Sequence, residues 1–148
     1  MLNQSNLAEQ SFEFSSIAAM PAVTPGYNRS PQSAYKQTAA ETASPEKLVI
    51  MLYKGATRFL HQGEKALLED RYEDANESLT RALDIVAELN VTLNMEAGDI
   101  AVTLRGLYNF YLQEIISANV KHDASLLQPV ITFFEDFSKV WSDAASQL

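Results

Sequence analysis

Apolar residues recur at intervals of three and four through residues 42–148, a spacing typical of amphipathic helices. The clearest start signal is Ser44-Pro45-Glu46: serine suits an N-cap, proline the first helical position and a carboxylate the first turn. It predicts a first helix from Pro45 to about Glu69. Asp70, followed three residues later by Glu73, fits a capping box and predicts a second helix that ends near Leu93.

Two more helices follow the break at residues 94–98. The third is predicted from about Asp99 to Asn119, and residues 120–123 form the next turn. In the fourth, Pro129 either kinks the first turn or marks the start of the regular helix. Its apolar side carries Leu127, Val130, Ile131, Phe134, Phe137, Trp141 and Ala144. Long helices with short connections predict an all-α, antiparallel up-down-up-down four-helix bundle.

The first 41 residues differ in composition from this predicted bundle domain. They contain Pro21, Pro25 and Pro31 among many Ser, Gln and Asn residues, as is typical of a flexible tail. Within this tail, SAYKQTAA at residues 33–40 either stays solvated or docks on the bundle as a short lid. The predicted domain organisation is therefore a flexible tail, 1–41, and a helical bundle, 42–148.

The apolar surface of the first helix is wider than an ordinary amphipathic stripe. After Lys47 come six apolar residues, LVIMLY, and the apolar positions cover about 160° against about 100° for a typical amphipathic helix. Contact with two neighbouring helices explains most of this width. Ile50 and Met51, with Val102 and Phe110 on the third helix, fall outside the stripes. Together they predict an apolar groove that suits an amphipathic helix of another chain.

Composition narrows the function classes. The net charge of −8 argues against nucleic acid as a partner, because a phosphate backbone would be repelled. The chain has no cysteine, which is compatible with a reducing compartment. No apolar run approaches the roughly 20 residues of a membrane span, and no signal peptide is recognisable. The expectation is a cytoplasmic protein without membrane insertion.

No residues suited to catalysis, metal or cofactor binding stand out. His61, on the polar face with Lys54, Arg58 and Lys65, lacks the following lysine and glycine of a phosphotransfer histidine. Inward Glu-x-x-His pairs, a calcium loop and a glycine-rich phosphate loop are missing from the sequence. We therefore expect a protein that is not an enzyme and has no cofactor.

The segments TASPEKLVIMLYKGATRFL, AELNVTLNMEAGDIA and LRGLYNFYLQEIISAN resemble the flagellar secretion chaperone family, the cytoplasmic chaperones of flagellin. The resemblance runs from about Tyr35 to Ala145. It implies a bundle that holds the C-terminal segment of flagellin in apolar grooves, prevents premature polymerisation and delivers it to the flagellar export apparatus. It also implies that an N-terminal tyrosine, matched by Tyr35, covers part of this surface when flagellin is absent.

On this interpretation Leu48 and Leu52 point inward, while Ile50, Met51 and Tyr53 meet the lid or the client. The predicted groove and lid comprise Tyr35, Ile50, Met51, Tyr53, Val102, Leu104, Leu107, Tyr108, Phe110 and Tyr111. The residues alone are also compatible with two other functions. One is a signalling or adaptor bundle of the phosphotransfer type, and the other is a self-associating structural bundle. The sequence leaves monomer and weak dimer open as well.

Overall fold

A computed structural model describes residues 44–147 of the chain as a bundle of four α-helices. These are α1 (Pro45–Leu68), α2 (Tyr72–Val91), α3 (Asp99–Lys121) and α4 (Gln128–Ala145), with short 3₁₀ turns at Met95–Ala97 and Ala124–Leu127. No strand occurs among these residues, and the predicted all-α four-helix bundle is confirmed. The predicted tail (1–41) and lid segment (33–40) lie outside the described residues.

The start of α1 is as predicted. The Ser44 hydroxyl accepts a hydrogen bond from the Lys47 backbone N–H at 3.3 Å, and Pro45 occupies the first turn, where no intrahelical N–H bond is needed. Together they fix where the chain turns into the helix.

The predicted capping box at the start of α2 is wrong. Asp70 has a left-handed backbone, φ 58°, and belongs to the end of α1. Its N–H bonds to the Leu67 carbonyl at 3.1 Å, and the Arg71 N–H bonds to the Ala66 carbonyl at 2.8 Å, the two bonds of a Schellman turn. Helix α2 begins at Tyr72 without a side-chain cap, and the Asp70 carboxylate instead accepts from the Tyr72 hydroxyl at 3.0 Å.

A second turn of the same kind closes α3 at the same end of the bundle. His122 has φ 53°, and the Asp123 N–H bonds to the Ala118 carbonyl at 3.0 Å. The His122 ring stacks on Tyr72 with ring centroids 3.8 Å apart, which ties the two connections together. Pro129 lies in the first turn of α4 and so marks the start of that helix.

The helices are not packed equally tightly against each other. Helix α1 packs against α2 and α4, and α2 packs against α3, so α1 and α3 are diagonal across the bundle. Helix α3 contacts the 3₁₀ turn Ala124–Leu127 more than it contacts α4 itself. The α2–α3 contact includes amide pairs, Asn90 to Asn109 and Asn76 to Asn119, each at 2.8 Å. Helices α3 and α4 therefore have the least direct contact of the neighbouring helix pairs.

Close approach of α1 and α2 depends on Gly63. A Cβ atom added there would lie 2.4 Å from a methyl carbon of Leu79, which is fully buried and cannot move aside freely. Gly106, in the exposed part of α3, has no atom within 4 Å of the corresponding position.

These two glycines give a matched test of the packing. Gly63→Ala is expected to lower the free energy of unfolding by about 1–3 kcal/mol, because the added methyl overpacks the α1–α2 contact. Gly106→Ala should raise it by up to about 1 kcal/mol, because alanine favours an exposed helix interior. Urea unfolding followed by circular dichroism measures both, and equal effects would contradict the described packing.

Candidate functional site

A cluster of aromatic rings fills the space between α1, α3 and α4. The rings lie within 4.6–6.5 Å of one another in a continuous network, with Tyr111 to Phe133 and Phe133 to Phe137 both at 4.6 Å. Its members are Tyr53, Tyr108, Tyr111, Phe133, Phe134, Phe137 and Trp141. Large rings thus occupy the space that separates α3 from α4.

At the centre of the cluster the hydroxyls of Tyr53 and Tyr108 share a hydrogen bond of 2.5 Å. Both side chains are buried, and the pair joins the diagonal helices α1 and α3. Burial raises the pKa of Tyr53 to about 12, although the neighbouring side chains of Tyr108 and Trp141 act in the opposite direction. Burial, reinforced by Tyr53, also raises the pKa of Tyr108 well above its usual value. The two hydroxyls therefore stay neutral and paired.

This burial corrects the expected position of Tyr53. The sequence places it at the lid or client surface, but its side chain is fully buried because its hydroxyl has a partner inside the bundle. Two other predicted groove residues, Leu104 and Tyr108, are likewise buried. Tyr35 lies outside the described residues, and its contact with the bundle stays a prediction.

The aromatic cluster reaches solvent along one side of α3 and α4. Phe110 is 56% exposed, and its ring lies 5.4 Å from Tyr111, which contacts Phe133 on α4. Val140, 49% exposed, follows Phe133 and Phe137 at helical spacing on the same side of α4. We call this surface the α3–α4 aromatic face; it consists of Leu107, Phe110, Tyr111, Phe133, Phe137 and Val140.

The other predicted groove residues lie elsewhere. Ile50 is half-buried against the core, and Met51 is 42% exposed on α1, the helix diagonal to α3. Val102 is 58% exposed on α3, but helical spacing turns it about 80° away from Phe110. The structure therefore brings Leu107, Phe110 and Tyr111 together and does not place Met51 or Val102 beside them.

The family model of the flagellar protein FliS matches residues 27–148. This chain belongs to the FliS family. The match includes the whole described bundle and also Tyr35, whereas residues 1–26 fall outside it.

Curated relatives are similar over most of the chain. A flagellar secretion chaperone FliS of Bacillus subtilis is 33% identical over 116 residues, 78% of this chain and 86% of the relative. That of Vibrio cholerae is 38% identical over 113 residues, 73% and 83% of the two chains. That of Salmonella typhimurium is 29% identical over 121 residues, 78% and 90% of the two chains. The resemblance seen in the sequence is confirmed.

Membership of the FliS family assigns this chain to the chaperones, which are not an enzyme class. It does not support the phosphotransfer alternative. The side chain of His61 is about half exposed and contacts the Glu135 carboxylate of α4. Within the described residues, no helix is long and apolar enough to cross a membrane.

The groove predicted from the sequence omits three members of the aromatic face, Phe133, Phe137 and Val140; of these, Phe137 was assigned only to the apolar side of the fourth helix. The signal was present, since Phe133, Phe137 and Val140 recur at intervals of four and three beside the main stripe of α4. The apolar surface of the first helix is wider than one stripe, and the same test applied to the fourth helix identifies these residues.

The tyrosine pair can be tested by a double-mutant cycle. Tyr53→Phe should cost about 1–3 kcal/mol of unfolding free energy, because it leaves the buried Tyr108 hydroxyl without its partner. Tyr108→Phe should cost a similar amount, since it leaves the buried Tyr53 hydroxyl without the same partner. The double variant should lose less than the sum of the two, and additive losses would contradict a shared hydrogen bond.

The same variants carry a pH signature. Folding raises the pKa of Tyr53 from 10.0 to about 12, so between these values the unfolded chain loses a proton that the folded chain keeps. The contribution of neutral Tyr53 to the free energy of unfolding is therefore complete below pH 10 and declines as the pH rises towards 12. In the double variant Tyr53→Phe/Tyr108→Phe, the free energy of unfolding measured with denaturant should decline less between pH 10 and pH 12 than it does in the wild type.

Proposed function

We propose that this FliS family chaperone binds the C-terminal segment of flagellin, prevents its polymerisation in the cytoplasm and delivers it to the flagellar type III export apparatus. Support comes from the family, whose curated members are flagellar secretion chaperones. The observation that carries the proposal is the row of partly exposed rings on the α3–α4 aromatic face.

A chaperone that keeps a segment from self-associating must cover the apolar side chains of that segment. The α3–α4 aromatic face offers a suitable surface, since Phe110 and Val140 are exposed and Tyr111 and Phe137 are half-buried. Exposed apolar surfaces of this kind are typical of protein interaction sites. Aromatic rings bury large areas while losing little side-chain entropy, which suits them to this role.

The energetics favour an extended row of contacts over a single pocket. Folding a disordered segment on binding costs about 2–5 kcal/mol or more of the gross interaction energy. Burying one large apolar side chain contributes about 1.5–3 kcal/mol. Several rings must therefore contact the client together, and the row from Phe110 through Phe133 to Phe137 provides them.

Carboxylates border this face and give it a polar rim. Glu114, Asp136 and Asp143 each follow a member of the face by three residues, Tyr111, Phe133 and Val140 respectively. Residues three apart on a helix are neighbours on its surface. We expect basic client side chains to lie along this rim, where they add orientation more than affinity.

Removal of exposed rings should separate binding from stability. Phe110→Ala should weaken binding of a peptide from the cognate flagellin C terminus by about 10- to 100-fold, since a buried contact of about 1.5–3 kcal/mol is lost. Its unfolding free energy should change by less than about 1 kcal/mol, because Phe110 is already mostly exposed. Calorimetric titration and urea unfolding measure the two effects.

Met51→Ala and Val102→Ala are the matched controls, since both remove exposed apolar side chains outside the aromatic face. Both should bind the peptide within about twofold of wild type, because neither side chain contacts the client in this proposal. Loss of affinity in Met51→Ala with none in Phe110→Ala would contradict a client site on the aromatic face. It would instead favour the groove at Met51 of α1 that the sequence predicts.

A further inference from the structure

A second surface lies on the opposite side of α4 from the aromatic face. There α1 and α4 border an open cleft of about 390 Å³. We call it the cationic cleft; it is lined by Lys54, Thr57, Arg58, Glu135, Ser138 and Lys139. Three cations and two hydroxyls thus converge with a single carboxylate.

The cations of this cleft are available to a ligand. Among residues 44–147 neither Lys54 nor Lys139 takes part in an ion pair, and Glu135 is engaged by His61. The Arg58 guanidinium lies 4.9 Å from the centroid of the Phe59 ring and makes no ion pair within residues 44–147, so its hydrogen-bond donors can meet solvent or a ligand. All three cationic side chains are exposed.

The cleft is part of a longer positive stripe along α1. Lys47, Lys54, Arg58 and Lys65 recur at intervals of seven, four and seven, which places them on one exposed face. No carboxylate of α1 lies on that face, although the whole chain has a net charge of −8. Like charges four residues apart, as at Lys54 and Arg58, destabilise a helix slightly. The concentration of charge is therefore unfavourable for folding and consistent with a ligand of opposite charge.

Apolar groups accompany the stripe. Met51 is exposed between Lys47 and Lys54, and the half-buried Phe59 ring lies beside Arg58. A second cation, Arg81 of α2, lies 5.6 Å from the same ring. Cations alternating with apolar side chains match a ligand that alternates carboxylates with apolar side chains.

We propose that the cationic cleft and the stripe along α1 bind an acidic, amphipathic segment of a partner protein. From Lys47 to Lys65 the stripe is about 27 Å long, at 1.5 Å per helical residue, so a segment of roughly 15–20 residues in a helix covers it. A polypeptide fits better than a membrane or a duplex nucleic acid, because those broad anionic surfaces would also meet the carboxylates elsewhere on the bundle. The partner binds independently of flagellin, since the two surfaces lie on opposite sides of α4.

The test uses the full chain and a fluorescent 16-residue peptide in which glutamate and leucine follow helical spacing. Anisotropy should show saturable binding that weakens steeply as salt is raised from about 50 to about 200 mM, because the contacts are exposed ion pairs. Lys54→Glu and Lys139→Glu should each weaken binding at least about tenfold.

Lys121→Glu is the matched control. It changes the net charge by the same amount at an exposed lysine of α3, far from the cleft. Its affinity for the peptide should stay within about twofold of wild type once the effect of the changed net charge is subtracted. Equal weakening by all three variants, or no binding of the peptide by the wild type, would overturn the proposal. Stronger binding of single-stranded DNA or of anionic vesicles, with the same dependence on Lys54 and Lys139, would overturn it in favour of those ligands.

Discussion

Two tyrosine hydroxyls buried among aromatic rings impose the constraint on which the rest of this bundle depends. A hydroxyl removed from water must find a partner, and Tyr53 and Tyr108 find each other across the diagonal of the bundle. Their pairing fixes the position of α3 relative to α1, although the two helices are not neighbours in the bundle. The remaining volume beside them is filled by rings from α4, foremost Phe134 at 5.2 Å from Tyr53.

Within residues 44–147, this arrangement leaves α3 and α4 with the least direct contact of the neighbouring helices. Helices α1 and α2 pack closely because Gly63 removes a side chain from their contact, and α2 holds α3 partly through amide pairs. Between α3 and α4 the spacing is set by the rings themselves, so the same cluster that builds the core continues to the surface. A client that adds its apolar side chains to this row extends the existing core, and no new pocket has to form. The location of the proposed client site thus follows from the way the aromatic rings fill the core.

Much of the fold could be predicted from the sequence because local rules agreed with tertiary packing. The Ser44 cap, the helical spacing and the short connections each predict what the structure contains. Asp70 was misassigned because a residue between two close helices can serve either, and its left-handed backbone favours the end of α1. The residues of the binding surface are harder to predict from the sequence. Periodicity places Tyr53 on a wide apolar arc, but it does not predict that the Tyr53 hydroxyl forms a hydrogen bond with Tyr108, 55 residues later. Nor does it say that α1 and α3 are diagonal, which separates Met51 from Phe110.

The proposed client site is the α3–α4 aromatic face, where the aromatic core reaches solvent. Photo-crosslinking locates the contact directly, with a benzophenone amino acid placed in turn at residues 51, 102, 110 and 140 of the full chain. If the client lies on the α3–α4 aromatic face, we expect crosslinks to the flagellin C-terminal segment from positions 110 and 140 and none from positions 51 and 102, since benzophenone reacts only with groups in contact. Crosslinks from position 51 or 102 with none from 110 and 140 would contradict it.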